Sequence, residues 1–172
     1  MVAFPTETVY GLGACARDKK AAGRIYKIKK RPLTKPLAIQ IADVRAIGEM
    51  GCVVTPAAKK LMDRFWPGPL TIILKGRLGK KIGFRMPANK AALELLRKAA
   101  VPLAVPSANI SGKPPARNAE EVLAVFRGRI EAVLDGGHTD IGVASTVVDM
   151  TGASPKVLRD GAIPETEILD LI

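Results

Sequence analysis

Short β-branched or aliphatic runs alternate along the chain with stretches whose apolar residues recur at helical spacing, the pattern of an α/β or α+β domain. The runs predict strands over Val2–Phe4, Leu37–Ile41, Leu70–Leu74, Ile82–Met86, Leu103–Val105, Ala132–Leu134, Thr146–Met150 and Val157–Arg159, most bounded by Pro or Gly. Helices are predicted to begin near Asp18, Thr55, Asn89 and Asn118, whose side-chain oxygens accept hydrogen bonds from otherwise unpaired first-turn amides. Asn118 is the clearest of these, since Glu121 follows at capping-box spacing and Val122, Leu123, Val125 and Phe126 supply an apolar face. A last short helix is expected after Pro164, because proline is favoured in a first turn. No internal repeat or low-complexity linker interrupts the pattern.

Gly, Pro, Ser and Asn gather in two loops, Thr6–Gly13 and Pro106–Arg117, at the ends of predicted strands, where α/β folds hold ligands. Pro67-Gly68-Pro69 reads as a turn of purely geometric meaning. With 172 residues, the chain has the length of a single domain over 1–172 able to bury a core. Its 27 Lys and Arg against 16 Asp and Glu give a net charge of +11, which favours polyanionic partners such as nucleotides or RNA. Aromatic residues make up only 4%, too few for an extended base-stacking platform. Cys15 and Cys52 have no His or Cys at metal-ligand spacing and read as buried thiols of a reducing compartment. No apolar run approaches the roughly 18 residues of a membrane helix and no signal pattern opens the chain, so a cytoplasmic location is expected.

Three polar clusters carry the candidate chemistry. Pro5 to Gly13 opens a strand into hydroxyl, carboxylate and phenol groups followed by Gly11 and Gly13, which suits either a small polar ligand or an ordinary turn. Lys27, Lys29, Lys30, Arg31 and Lys35 crowd the end of a helix and its following loop, either as charges complementing the helix dipole or as a phosphate clamp. Val105 to Lys113 sets small hydroxyl and amide groups just after a strand, for ligand hydrogen bonds or for Asx and Ser turns. His138 is the single histidine, so neither a protein-ligated zinc nor a Ser-His-Asp triad is expected, and no Walker-type loop is present to hold ATP.

Taken in order, PTETVYGLG at 5 to 13, KKRPLTKPLAI at 29 to 39, FWPGPLTIIL at 65 to 74, GFRMP at 83 to 87, PSANISG at 106 to 112 and STVVD at 145 to 149 resemble the YrdC family over nearly the whole chain. The resemblance implies a YrdC-like single α/β (α+β) domain, with a twisted, open mixed sheet, helices packed on it and a basic concave cavity. It implies the synthesis of threonylcarbamoyl-AMP and pyrophosphate from L-threonine, bicarbonate and ATP with Mg²⁺. A separate transferase then passes the threonylcarbamoyl group to adenosine 37 of tRNA. The matched positions assign Lys29 and Arg31 to catalysis. They assign Arg31, Lys35, Asn109, Arg117 and Arg159 to ATP, with Mg²⁺ held through phosphates. Thr8, Tyr10, Gln40, Arg85, Ser107 and Ser145 are assigned to threonine.

The chain departs from the family at Gln40, where many members carry His, so a contact there is an amide contact that does not titrate near neutrality. Pro115-Ala116-Arg117 stands in place of the usual Ser-Pro-Thr, with Arg117 as an electrostatic substitute, and Asp160 replaces a common Pro. The chain begins almost at its first strand, where members usually carry a preceding helix, and the match is to the short form. Two competing functions follow from the same features. One is a non-catalytic module for double-stranded RNA or tRNA, suited to the basic balance. The other is a carbamoyl-adenylate domain like that of the much longer hydrogenase-maturation carbamoyltransferases.

Overall fold

Nine strands form one mixed sheet in the order β7-β1-β2-β6-β3-β5-β4-β8-β9 in a computed structural model that describes residues 1–172. The strands are β1 (Val2–Phe4), β2 (Gly11–Cys15), β3 (Ile39–Gln40), β4 (Leu70–Lys75), β5 (Lys81–Arg85), β6 (Leu103–Ala104), β7 (Ala132–Val133), β8 (Thr146–Asp149) and β9 (Lys156–Arg159). β1 pairs with β7, β3 with β5 and β4 with β8 in parallel, and the other five pairings are antiparallel. The helices are α1 (Lys19–Lys29), α2 (Arg45–Glu49), α3 (Pro56–Phe65), α4 (Lys90–Ala99), α5 (Ala119–Phe126) and α6 (Glu165–Leu169), with one 3₁₀ turn over Arg77–Gly79.

All four expected caps form. Asp18 accepts from Lys20 N and Ala21 N, Thr55 from Ala58 N, Asn89 from Ala92 N and Asn118 from Glu121 N. Glu121 reaches back to the amide of Arg117, one residue before the cap. Three elements depart from the sequence expectation. The short helix α2 is not among the expected helices: Val44 before it makes no side-chain cap, and the start signal is Asp43 one residue further out, whose Oδ1 accepts from Arg45 N at 2.8 Å. Strand β2 occupies Gly11 to Cys15, within what reads as a loop, because glycine is a poor strand former by propensity. Here close packing requires it: a Cβ on Gly11 would sit 2.6 Å from Val105 Cγ1, and one on Gly13 2.8 Å from Phe4 Cε1. The expected strand Leu37–Ile41 contracts to two paired residues.

Period-two alternation in the central strands divides core from cavity. Ile72 lies opposite both Phe84 and Val148 in register, and all three are fully buried in the main core with Leu61, Met62 and Ile168. The residues between them, Thr71, Ile73, Gly83, Arg85, Val147 and Asp149, face the other side and line a cavity. Two smaller cores close the sheet's remaining surface: Val122 and Phe126 of α5 pack on Ala3, Tyr10 and Leu12, and Ala92 and Leu96 of α4 pack on Phe4, Leu103 and Val105. No helix is long and apolar enough to cross a membrane.

Candidate active site

The polar face of β4, β5 and β8 forms the floor of a cavity of about 750 Å³, and the loops 31–36, 105–112 and 144–145 form its walls. Lys29, Arg31, Lys35, Lys81, Arg85 and Arg159 line it, against a single lining carboxylate, Asp149, whose charge is taken up by Lys81 at 2.8 Å.

Lys29 is the last residue of α1, where Lys30 adopts a left-handed conformation (φ 51°) and turns the chain out of the helix. The Lys29 side chain is 1% exposed. Its Nζ donates to Ser107 O at 2.5 Å, Asn109 O at 2.6 Å and Asn109 Oδ1 at 3.2 Å, while Ser111 N donates to Lys29 O. The end of the helix is thus fastened to the 105–112 loop. Burial, and secondarily the charge of Arg31, lowers the Lys29 ammonium to about 8. Asn109 is occupied within its own loop: Oδ1 accepts from Ser107 Oγ at 2.6 Å, and Nδ2 donates to Ile110 O and Lys113 O. These bonds satisfy the loop's own backbone, as an Asx turn does, and Ser107, Asn109 and Ser111 also line the cavity.

Arg31 donates from Nε to Lys35 O and from Nη2 to Pro36 O, which folds the following loop around its own fork. The exposed Lys35 ammonium stands at the rim of this loop. Arg159 is exposed along its stem, but its head folds against Ser145, donating to Ser145 O at 2.7 and 3.0 Å and to Ser145 Oγ at 3.1 Å. Ser145 Oγ also lies 2.9 Å from Thr71 Oγ1. Desolvation lowers Arg31, Arg85 and Arg159, and Arg159 is further lowered by the charges of Arg85 and Arg31, a direct consequence of the three cations sharing one space.

Arg85, on the floor, is 6% exposed. It donates from Nη2 to Thr8 Oγ1 at 2.8 Å and from Nε to Gly68 O at 3.3 Å, and Nη2 forms an ion pair with Glu7 Oε2 at 2.9 Å. That contact lacks hydrogen-bond alignment, so both Glu7 oxygens remain without a hydrogen-bond donor. Gln40, 4% exposed and on the cavity wall, leaves its Oε1 without a partner. Tyr10 forms another wall. Its hydroxyl donates to Gly137 O and accepts from Gly136 N, and burial raises its pKa above the ordinary phenol value.

The fold therefore brings Tyr10, Lys29, Arg31, Lys35, Gln40, Arg85, Ser107, Asn109, Ser145 and Arg159 to one cavity. Thr8 lies just behind it, fully buried and bound to Arg85. Arg117 does not join them. Its amide is tied to the cap of α5 and its exposed side chain lies over Gly142, where a Cβ would meet Arg117 Cζ at 2.7 Å. Thr71, Lys81 and Asp149 are additions to the sequence-derived set, while Glu7 is the carboxylate of the Pro5 to Gly13 cluster and stands behind Arg85. Thr71 alone carries a legible sign, a polar residue between the buried Leu70 and Ile72.

A model of the Sua5/YciO/YrdC family, described as telomere recombination, matches residues 1–161. The chain is 45% identical over 181 residues to a threonylcarbamoyl-AMP synthase of Pyrococcus abyssi, covering 100% of this chain and 53% of that protein. It is 43% identical over 178 residues to a threonylcarbamoyl-AMP synthase of Bacillus subtilis, covering 98% of this chain and 51% of that protein. The crystal structure of P. abyssi Sua5 complexed with L-threonine superposes with a TM-score of 0.95 at 45% identity, over 99% of this chain and 53% of that one. The chain thus spans about half the length of these relatives.

Proposed function

The chain belongs to the Sua5/YciO/YrdC family, and from that premise we propose that it makes threonylcarbamoyl-AMP from L-threonine, bicarbonate and ATP. Threonine's amine attacks the bicarbonate carbon, forming a C–N bond while a C–O bond breaks and water leaves, which gives N-carboxythreonine. Its carboxylate oxygen attacks the α-phosphorus of ATP, forming one P–O bond while the bond to the β-phosphate oxygen breaks and pyrophosphate leaves. An anion must approach a polyanion in this step, so fixed positive charge lowers the barrier, and holding the reactants in line supplies up to about 7 to 11 kcal/mol in favourable cases.

One observation carries the reading: cations from separate stretches of chain converge on a single cavity with an uncharged polar wall. Arg31, Lys35 and Arg159 spend their protein hydrogen bonds, where they make any, on neutral oxygens and keep their full charge for phosphates. Lys29 adds charge and holds the Asn109 loop in place. Arg85 takes the amino acid's carboxylate, with Gln40 Oε1 as a free acceptor and Thr8, Tyr10, Ser107 and Ser145 shaping the seat. Mg²⁺ enters as part of the substrate, bound to phosphate oxygens and water as is usual for this ion. A separate transferase consumes the acyl-adenylate in tRNA modification. We assign the chain to the cytoplasm, where Cys15 and Cys52 stay as free thiols.

The test is threonine-dependent release of pyrophosphate from ATP in the presence of bicarbonate and Mg²⁺. Arg31→Ala is expected to lower kcat/KM for ATP by about 10- to 150-fold, the value of a charge-assisted hydrogen bond of about 1.5 to 3 kcal/mol. Lys19→Ala, on the exposed face of α1, stays within about twofold of the unmodified chain, since isolated surface charges contribute little. Equal effects overturn the assignment of Arg31. A folded chain without turnover leaves the RNA-binding module as the better account.

A further inference from the structure

Glu7 is 5% exposed, bears no hydrogen-bond donor at either carboxylate oxygen and does not itself line the cavity. A buried carboxylate so poorly solvated by the protein is costly, and an amide or apolar side chain of similar size would fill the space at less expense. Its one strong partner is Arg85, at 2.9 Å.

Three other cations of the cavity are treated differently, and a fourth is paired in the same way. Lys29, Arg31 and Arg159 are held by backbone carbonyls and by Asn109 and Ser145 oxygens, all neutral, and Lys81 meets Asp149 on β8. Within one cavity, then, Arg31 and Arg159 carry positive charge that no carboxylate offsets, while Arg85 and Lys81 each face one carboxylate, Glu7 and Asp149. A phosphate group, carrying close to two negative charges, responds to the net charge of a site. An amino acid zwitterion, with no net charge, responds mainly to its local dipoles.

We infer that Glu7 is a specificity-determining positioning residue: it offsets the charge of the Arg85 guanidinium, so that the seat at Arg85 accepts a zwitterionic amino acid and refuses a phosphate. The inference rests on the amino-acid reading of the Arg85 seat. It adds a reason why a triphosphate does not slide across the cavity and occupy both seats.

The experiment measures binding of labelled L-threonine by equilibrium dialysis at low ionic strength, with inorganic phosphate as competitor, for the full chain and for Glu7→Gln. In Glu7→Gln, phosphate is expected to displace threonine at concentrations at least tenfold lower, equivalent to about 1.4 kcal/mol, while the threonine Kd moves by less than about threefold. Weakening of both ligands together, as a purely structural role for Glu7 would give, overturns the inference, and so does an unchanged phosphate dependence. Should Glu7→Gln not fold, Glu7→Asp, which draws the same charge back from Arg85, must move phosphate competition in the same direction by at least about twofold, and no change overturns the inference. If the unmodified chain binds no threonine, the amino-acid reading itself fails. If it binds threonine but the variants keep its phosphate dependence, only the role of Glu7 fails.

Discussion

Lys29 shows how a single side chain joins stability to charge in this protein. Its folded value of about 8 lies below the ordinary 10.5, because burial penalises the ammonium more than its three oxygen acceptors support it. Between those two pH values the unfolded chain binds more protons than the folded one at this site, so its contribution to stability rises with pH across that window. Over the same window the cavity loses one positive charge. Stability and activity should therefore diverge above pH 8: relative to Lys29→Met, the unmodified chain gains unfolding free energy while its kcat/KM for ATP falls. Paired denaturant melts and pH–rate profiles check this, and parallel pH trends for the two chains contradict it.

At the scale of elements, local chemistry explains what could be read along the chain. The caps at Asp18, Thr55, Asn89 and Asn118 depend on bonds within three residues, so they are legible without tertiary information. Strand β2 was not, since its glycines are selected by Val105 and Phe4, which lie far away in sequence or on a neighbouring strand. The turn after β9 illustrates the same dependence. A Cβ on Gly161 would stand 2.4 Å from Ala144 O and 2.5 Å from Ser145 C, both rigid backbone. Gly161→Ala should push the Arg159 turn away from Ser145, costing about 1 to 3 kcal/mol of stability as overpacking does, and raising KM for threonine and ATP. Gly23→Ala is the contrast: a Cβ there meets nothing within 4 Å inside α1, and the change should stabilise by about 0.5 to 1 kcal/mol with kinetics intact. Chemical denaturation with steady-state kinetics separates the two.

Across the whole molecule, one sheet serves two purposes by alternation. Ile72, Phe84 and Val148 anchor the core on one side, and Thr71, Gly83 and Val147 floor the cavity on the other, so a ligand in the proposed site rests on the element that holds the fold together. Occupancy should then be felt globally. ATP with Mg²⁺ or threonine at a hundredfold excess over its Kd adds about 2.7 kcal/mol to unfolding, a rise in Tm of roughly 5 to 10 °C for a chain of this size. Calorimetry reads this directly, and a shift below about 1 °C with both ligands present would contradict the proposed substrates.

The sequence by itself determined the strand and helix pattern, four caps, the excess of positive charge and the motifs that mark the family, because each depends on neighbours a few residues apart or on composition. Tertiary structure alone decided which charges remain available. Arg117 reads as one more cation beside a ligand loop, yet it is turned onto Gly142, while the buried Lys29 is drawn into the 105–112 loop and Glu7 is set against Arg85. Burial and pairing are properties of distances across the sheet, and electrostatic strength depends on both, so the charge map of the cavity emerges only when strands distant in sequence come together.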